Sequence, residues 1–209
     1  MGDTFEKFES LPEERQEAIF EAAVEAFGRN DYKSASTEAI ARKAGISKGL
    51  LFFYFKNKRE MYLYILDRLM TKMIDVVVDD DFYEIDDFFE LFFYAAERKR
   101  DVLGKIPWML DFSIRAYYPE HKDIKDKMDD WTQAQIDTIF DAYFKNVRFD
   151  KFKENVDPKE IVSMLIWMTD GYLHQQRSRR RPIDVDELMV EFYKWCAMFK
   201  QYAYKEEYQ

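Results

Sequence analysis

Apolar residues recur every three to four positions along almost the whole chain, which is the spacing of a helix face that is buried against a core. No two alternating, strand-like runs flank a hairpin signal, and the 6 Gly and 5 Pro residues stand where helices should begin or end. The pattern predicts an all-α protein of about nine helices. We expect them at about residues 10–29, 36–44, 47–55, 58–78, 85–100, 107–118, 122–144, 158–176 and 185–204.

Several predicted helices begin at residues whose side chains can accept hydrogen bonds from free backbone N–H groups. Ser10 and Glu13 have the spacing of a capping box, which predicts the start of the first helix. Asp157 followed by Pro158 predicts another start, because proline suits the first position of a helix. These residues set the expected boundaries of the long helices.

Two short helices stand close together near the N-terminus. Ser36 and Ser47 are their expected N-caps, and Gly45 ends the first of them. Two short helices joined by a tight turn that contains glycine predict a helix-turn-helix. We therefore expect a three-helix head over residues 1–57 and a larger helical bundle over residues 58–209.

Charge is distributed unevenly along the chain. The net charge is −9, which by itself argues against a nucleic-acid partner, but residues 60–209 account for all of it. Between Arg29 and Arg59, eight basic residues face only Asp31 and Glu38, a net of +6. A basic window on an acidic protein is typical of a local contact with a polyanion.

Other classes of protein are disfavoured. The longest apolar runs, such as Leu50 to Phe55, are far shorter than the roughly 20 residues of a membrane helix, and no secretory signal is seen. A single cysteine fits a reducing compartment. The two histidines, His121 and His174, are too few for a histidine-rich metal site. We expect a cytoplasmic protein with no membrane partner, cofactor or metal.

The segment Thr37 to Lys58, TEAIARKAGISKGLLFFYFKNK, resembles the DNA-binding signature of the TetR family of transcriptional regulators. The resemblance covers Ile19 to Met61. Its matching positions are Ile40-Ala41, Ala44-Gly45-Ile46-Ser47, Lys48-Gly49, Tyr54-Phe55 and Asn57-Lys58. It implies that the helix at 47–55 is a recognition helix for the major groove of DNA. It also implies that the second domain binds a small ligand and dimerises through the last two helices.

The residues themselves indicate how that helix would meet DNA. Leu51 and Phe55 lie four positions apart and are expected in the head's core, which leaves Lys48, Leu50, Phe53 and Tyr54 facing outward. The free N–H groups at the start of each short helix suit a phosphate. Leu50 and Phe53 donate no hydrogen bond to a base edge but can contact a thymine methyl group. The candidate DNA-binding residues are Ser36, Thr37, Ser47, Lys48, Gly49, Leu50, Phe53, Tyr54, Lys56 and Lys58.

The last two predicted helices have wide apolar faces. The segment Ile161 to Met168 is apolar nearly all round and needs covering on more than one side. The final helix adds apolar residues that include Phe192 and Phe199, which we expect at a homodimer interface. A dimer would present two recognition helices to half-sites about one turn apart in a palindromic operator.

Aromatic and methionine residues are concentrated on the predicted helices from 107 to 176, together with a few polar groups. This composition suits an apolar ligand cavity, although a packed core would use the same residues. Arg115 would favour an acidic ligand and Asp170 a cationic one, and the sequence does not choose between them. The candidate ligand-binding residues are Trp108, Phe112, Arg115, Trp131, Phe140, Tyr143, Trp167, Met168, Asp170, Tyr172 and His174.

The sequence predicts a ligand-responsive DNA-binding regulator, a repressor released from its operator by a small, largely apolar effector. One alternative is an all-α enzyme such as a di-iron protein, but neither histidine follows the glutamate of a Glu-x-x-His motif. No Gly-rich phosphate loop, nucleophile elbow or Cys/His metal pair is found, so no catalytic residue is assigned. The other alternative is a helical adaptor whose head binds protein.

Overall fold

The computed structural model describes residues 5–105, 108–117, 121–125, 140–179 and 181–209, and these ranges are all-helical as predicted. The helices are α1 (Glu6–Glu9), α2 (Glu13–Arg29), α3 (Thr37–Lys43), α4 (Lys48–Phe55), α5 (Lys58–Val77), α6 (Phe88–Lys105), α7 (Trp108–Tyr117), α8 (Pro158–Ser178) and α9 (Val185–Ala203). Single 3₁₀ turns lie at Asp81–Glu84, Phe149–Lys151 and Glu206–Tyr208. Most of the helix predicted at 122–144 lies outside the described residues. None of the described helices combines the length and hydropathy needed to cross a membrane.

The described residues form two compact units. The first takes in those of residues 1–73 and 106–133, and the second those of 74–105 and 134–209. Helix α7 therefore belongs to the same unit as the helix-turn-helix. The functional division after residue 57 stays a prediction.

The predicted caps of the short helices are confirmed. The Ser36 hydroxyl oxygen accepts a hydrogen bond from the N–H of Ala39 at 3.2 Å, and that of Ser47 accepts one from Leu50 at 3.1 Å. Gly45 has a φ of +68°, which glycine adopts without strain in the turn between the two helices. Local chemistry thus sets the geometry of the helix-turn-helix.

The predicted capping box at Ser10 is wrong. A separate short helix, α1, precedes it, and the Ser10 hydroxyl donates to the carbonyl of Lys7 at 3.1 Å. Helix α2 begins at Glu13 with no side-chain cap. The apolar spacing did not reveal α1 because a single turn shows no periodicity. Its Phe8 is nevertheless fully buried in the head.

Helix α7 packs closely on the end of α2. An ideal Cβ at Gly28 would lie 2.6 Å from the carbonyl oxygen of Trp108, and the Arg115 Nε donates to the Gly28 carbonyl at 3.0 Å. The ring of Phe112 lies 5.4 Å from that of Phe27, and both are buried. Only a residue without a side chain permits this approach.

Helix α2 is also joined to α5. Glu17 pairs with Arg68 at 2.6 Å and with Lys72 at 3.0 Å. Partial burial would raise the pKa of Glu17, but the hydrogen bonds and charges of Lys72 and Arg68 outweigh it and hold that pKa below its usual value. The carboxylate therefore remains ionised and paired at neutral pH.

The second unit has an aromatic core. Helix α6 packs against α9, and α9 packs against α8. The Tyr204 hydroxyl accepts a hydrogen bond from the N–H of Phe88 at 3.2 Å, and an isolated β-bridge joins Tyr204 to Phe152. The buried residues of this core include Phe88, Phe89, Leu91, Phe144, Phe152, Ile161, Leu165, Cys196, Phe199 and Tyr204.

We predict that Gly28→Ala destabilises the protein by about 1–3 kcal/mol, because the new methyl group meets backbone atoms that cannot turn aside. Gly104→Ala is a matched control, since Gly104 is also the penultimate residue of its helix. Among the described residues, no atom beyond its own helix and chain neighbours lies within 4 Å of its Cβ position. Gly104→Ala should therefore leave the free energy of unfolding unchanged or raise it by up to about 1 kcal/mol. Chemical denaturation measures the free energy of unfolding of both variants. Equal stability of Gly28→Ala and Gly104→Ala would contradict the close approach of α7 to Gly28.

Candidate nucleic-acid interface

The face of α4 that was predicted to meet DNA is exposed. Phe53 is 56% exposed and Leu50 is 37% exposed, whereas Leu51 and Phe55 are fully buried as expected. Ser47, Lys48 and Gly49 at the start of the helix are also exposed, and no described residue covers them. The result is an apolar face flanked by cationic and backbone donor groups, which suits the methyl groups and phosphates of a DNA groove.

Tyr54 was expected to face outward, and that expectation is wrong. It is only 8% exposed, and its ring lies 6.3 Å from that of Phe8 on α1. The pattern of apolar residues does not predict this contact, because α1 is a single turn without periodicity. A DNA contact by Tyr54 would have to involve the small exposed part of its side chain.

The lysine and arginine side chains of the head differ in exposure and in whether a carboxylate pairs with them. Within the described residues, no carboxylate oxygen lies within 4.0 Å of the amine of Lys48 or Lys56, and both side chains are exposed. Lys33 and Arg42 are likewise exposed and unpaired among those residues, although neither was singled out from the sequence. By contrast, Lys43 pairs with Glu25.

Lys58 is held inside the head. Its amine donates to the carbonyl of Lys33 at 3.1 Å and lies 4.9 Å from the centre of the Tyr32 ring. Burial lowers the pKa of Lys58, and the charge of Asp31 only partly offsets this. Its predicted role as a phosphate contact therefore requires the amine to leave these partners.

Helix α1 adds Lys7, which was not among the residues predicted from the sequence. The amine of Lys7 lies 4.1 Å from the centre of the Phe53 ring, within the range of a cation–π interaction. It thus brings positive charge to the exposed face of α4. Its signal in the sequence is only one lysine in a short acidic segment, which gives no indication of this placement.

Ser36 and Thr37 lie at the start of α3. The Ser36 hydroxyl oxygen is already an acceptor for the N–H of Ala39, so its proton remains available for a phosphate oxygen. Thr37 is partly exposed. Both therefore retain donor groups that could contact a backbone phosphate.

The candidate ligand residues are divided between the two units. Trp108, Phe112 and Arg115 belong to the first unit, where they pack against the end of α2, and the guanidinium of Arg29 lies 4.4 Å from the Trp108 ring centre. Phe112 is fully buried in that contact. These three residues thus serve the packing of the head unit. Trp131 lies outside the described residues.

The remaining candidates lie in the second unit. Trp167 is 60% exposed and His174 is exposed, so the expectation that they line an interior cavity is wrong. Asp170 and Met168 are partly buried, and Tyr172 lies beside Trp195 with ring centres 6.3 Å apart. The exposure of these residues differs because apolar residues occur all around α8, and a helix cannot direct all of them to one side.

Phe140 and Tyr143 have different surroundings. Tyr143 packs edge-on against Phe82 at 5.0 Å, and burial raises its pKa. Phe140 lines a cleft of about 660 Å³, together with Phe149, Phe152, Val156, Pro158 and the lysines Lys153, Lys159 and Lys205. Of the predicted ligand residues that the structure describes, Phe140 alone lines this cleft.

Residues 19–65, from α2 to the first half of α5, match the family described as "Bacterial regulatory proteins, tetR family". Residues 19–65 of this chain are thus similar to the DNA-binding region of the TetR family. Its matched segment contains the exposed face of α4 and the two serine caps, which are the parts of the head that resemble a DNA-binding surface.

Two relatives with named functions each match about a third of this chain. The fatty acid metabolism regulator protein of Bacillus subtilis is 32% identical over 62 residues, which are 30% of this chain and 32% of that protein. The HTH-type transcriptional repressor SCO4008 of Streptomyces coelicolor is 38% identical over 71 residues, 34% of this chain and 37% of that protein. The chain thus matches about a third of the length of these relatives. Both are named as regulators and not as enzymes.

A solved structure of similar fold matches most of the chain. FadR from Bacillus subtilis, crystallised in complex with stearoyl-CoA, gives a TM-score of 0.61 at 16% identity over 86% of this chain and 96% of that one. At this identity the likeness shows the fold, in which a helix-turn-helix head precedes a larger helical domain.

We predict that Gly49→Ala leaves folding intact, since the nearest atom to the added Cβ is the Ser47 hydroxyl oxygen at 3.9 Å. It should nevertheless weaken operator binding by about tenfold, the loss of one charge-assisted contact to phosphate, if the α4 backbone approaches the duplex closely. Fluorescence anisotropy with a selected operator measures this, with Gly104→Ala as the control. Unchanged affinity in Gly49→Ala would show that the backbone does not make this approach.

Proposed function

We propose that this protein is a ligand-responsive DNA-binding regulator of transcription, a repressor that binds a palindromic operator in the cytoplasm as a homodimer. The observation that carries the proposal is the exposed face of α4, where apolar side chains lie beside unpaired lysines at a capped helix start. The similarity of the head to the TetR family supports the same conclusion.

The charges of the head account for DNA binding by an acidic protein. Lys48 and Lys56 are exposed and unpaired within the described residues, so each can replace a counterion at a phosphate. Lys33 and Arg42 extend this set. Leu50 and Phe53 add apolar contacts that favour thymine methyl groups over polar base edges.

Dimerisation through α8 and α9 is supported by apolar side chains that the described part of the chain leaves uncovered. Phe192 and Phe199 were expected at the interface, but Phe199 is buried and Phe192 packs against the core of its own unit, so that assignment is wrong. The exposed apolar residues on the two helices are Met164, Trp167, Val190, Met198 and Tyr202. A second copy of the same surface would bury them.

The effector is proposed to bind in the second unit and to shift the population of head arrangements, so that the half-sites no longer fit. The named relatives favour an apolar effector, since one regulates fatty acid metabolism and another structure of this fold was solved with stearoyl-CoA. A ligand with different affinities for two states can release DNA without entering the head.

We predict salt-dependent binding to a palindromic duplex. Lys48→Ala should weaken binding and reduce the slope of log affinity against log salt by about 1, because one phosphate contact is lost. Lys105→Ala removes the same charge from an exposed position outside the head and should leave the slope unchanged. The slope is measured by anisotropy titrations at several salt concentrations. An operator affinity that is indifferent to salt would refute phosphate-driven binding.

We predict that Trp167→Glu separates the dimer. An exposed tryptophan at the centre of an interface contributes about 2 kcal/mol or more, so dimer dissociation should become at least about 30-fold easier. Tyr83→Glu is the matched control, since it also places glutamate at an exposed aromatic position but lies outside α8 and α9. Light scattering at micromolar concentration gives the mass, and circular dichroism verifies folding. A dimeric Trp167→Glu protein, or a monomeric wild type, would overturn the proposed interface.

A further inference from the structure

The cleft of about 660 Å³ in the second unit combines aromatic rings with positive charge. It lies where the 3₁₀ turn Phe149–Lys151 and the residues that follow it lead into α8. Its volume falls within the range of roughly 300–1,000 Å³ that is typical of small-molecule sites. Its apolar and cationic groups include Phe140, Phe149, Phe152, Lys153, Lys159 and Lys205.

The three phenylalanine rings lie in a row along the cleft. The ring centres of Phe140 and Phe149 are 6.1 Å apart and their planes are inclined by only 18°, and those of Phe149 and Phe152 are 6.0 Å apart. Phe152 is buried, whereas Phe149 is 38% exposed. The described part of the chain thus leaves an aromatic surface uncovered inside the cleft. A flat ring can stack on it in an offset arrangement.

Two lysines of the cleft retain donors for an anion. The Lys153 amine donates to the carbonyl of Tyr202 at 2.7 Å, and the Lys205 amine donates to the carbonyl of Asp150 at 2.8 Å. No carboxylate of the described residues lies within 4.0 Å of either amine. Because an ammonium group has three donors, each amine keeps N–H groups for a further acceptor.

Most of the negative charge at the cleft is compensated. Asp150 pairs with Arg148 at 2.9 Å. Asp157 accepts a hydrogen bond from the N–H of Lys159 at 2.8 Å and lies at the positive end of the α8 dipole. Glu154 is exposed to solvent. Since Arg148 and three lysines stand against three carboxylates, the described residues leave a small excess of positive charge.

Backbone hydrogen bonds hold the lysines of the cleft in place. The β-bridge between Phe152 and Tyr204 lies next to both Lys153 and Lys205 in the chain. The Lys153 N–H also donates to the Ala203 carbonyl at 2.9 Å. The two amines thus come from segments that are already joined, and a ligand need not order them.

We propose that this cleft binds the effector, and that the effector is an aromatic carboxylic acid. The proposal rests on the proposed effector-binding function of the second unit. The aromatic ring stacks on Phe149, while the carboxylate accepts charge-assisted hydrogen bonds from Lys153 and Lys205. The excess of positive charge disfavours a cationic ligand. An aliphatic acid is disfavoured because a flexible chain loses more rotational freedom on binding than a rigid ring does.

The first experiment measures the binding of cinnamate to the full-length protein by calorimetry. Cinnamate should bind at least about tenfold more tightly than cinnamyl alcohol or cinnamylamine, because neither accepts charge-assisted hydrogen bonds from the lysines. It should also bind more tightly than nonanoate, which has the same number of carbon atoms and the same charge but no ring.

Variants separate the contribution of charge from that of the ring. Lys153→Met and Lys205→Met keep the apolar stem and should each weaken cinnamate binding by at least about tenfold, whereas Lys153→Arg should restore most of it. Phe149→Leu should weaken the binding of cinnamate more than that of nonanoate. Lys105→Met is the matched control, because it removes an exposed lysine of the same unit outside the cleft, and should bind like the wild type.

A further measurement uses only the wild-type protein. Acetic anhydride modifies accessible amines, and mass spectrometry locates the acetyl groups. Saturating cinnamate should slow the acetylation of Lys153 and Lys205 and leave that of Lys105 unchanged. This readout does not depend on whether a variant folds.

The outcomes distinguish this proposal from the proposed function. Equal affinity for cinnamate and cinnamylamine, unchanged cinnamate affinity in both lysine-to-methionine variants, or no protection from acetylation would each overturn the site. Tighter binding of nonanoate than of cinnamate would overturn the aromatic class. Binding of cinnamate in the cleft without release of operator DNA, measured by anisotropy, would overturn its role as the effector site. Failure of the ligand-free protein to bind an operator would instead refute the proposed function.

Discussion

The close approach of α7 to Gly28 is the contact on which the arrangement of the first unit depends. The Trp108 backbone occupies the space that a side chain at residue 28 would fill, and Arg115 donates to the carbonyl of the same glycine. These contacts join a helix that is distant in sequence to the end of α2. Because α2 in turn pairs with α5 through Glu17, three helices are held together around the helix-turn-helix.

Much of the head could be predicted from local sequence. Ser36 and Ser47 cap their helices through hydrogen bonds that span three residues, and Leu51 and Phe55 are buried because helical spacing places them on one face. The burial of Tyr54 could not be predicted in the same way, because it depends on Phe8, which is 46 positions away along the chain. The contact between Lys7 and Phe53 could not be predicted either, because these residues are equally far apart along the chain.

The sequence by itself determined the helical class, the short capped helices and the exposed α4 face with its lysines, since all of these follow from contacts between residues a few positions apart. Tertiary structure alone decided which aromatic residues serve packing. It buried Phe112 against Phe27 and left Trp167 exposed, although both lie on apolar helical stripes. The physical reason is that a stripe specifies a face to be covered, while the element that covers it is chosen by packing between segments far apart in the chain.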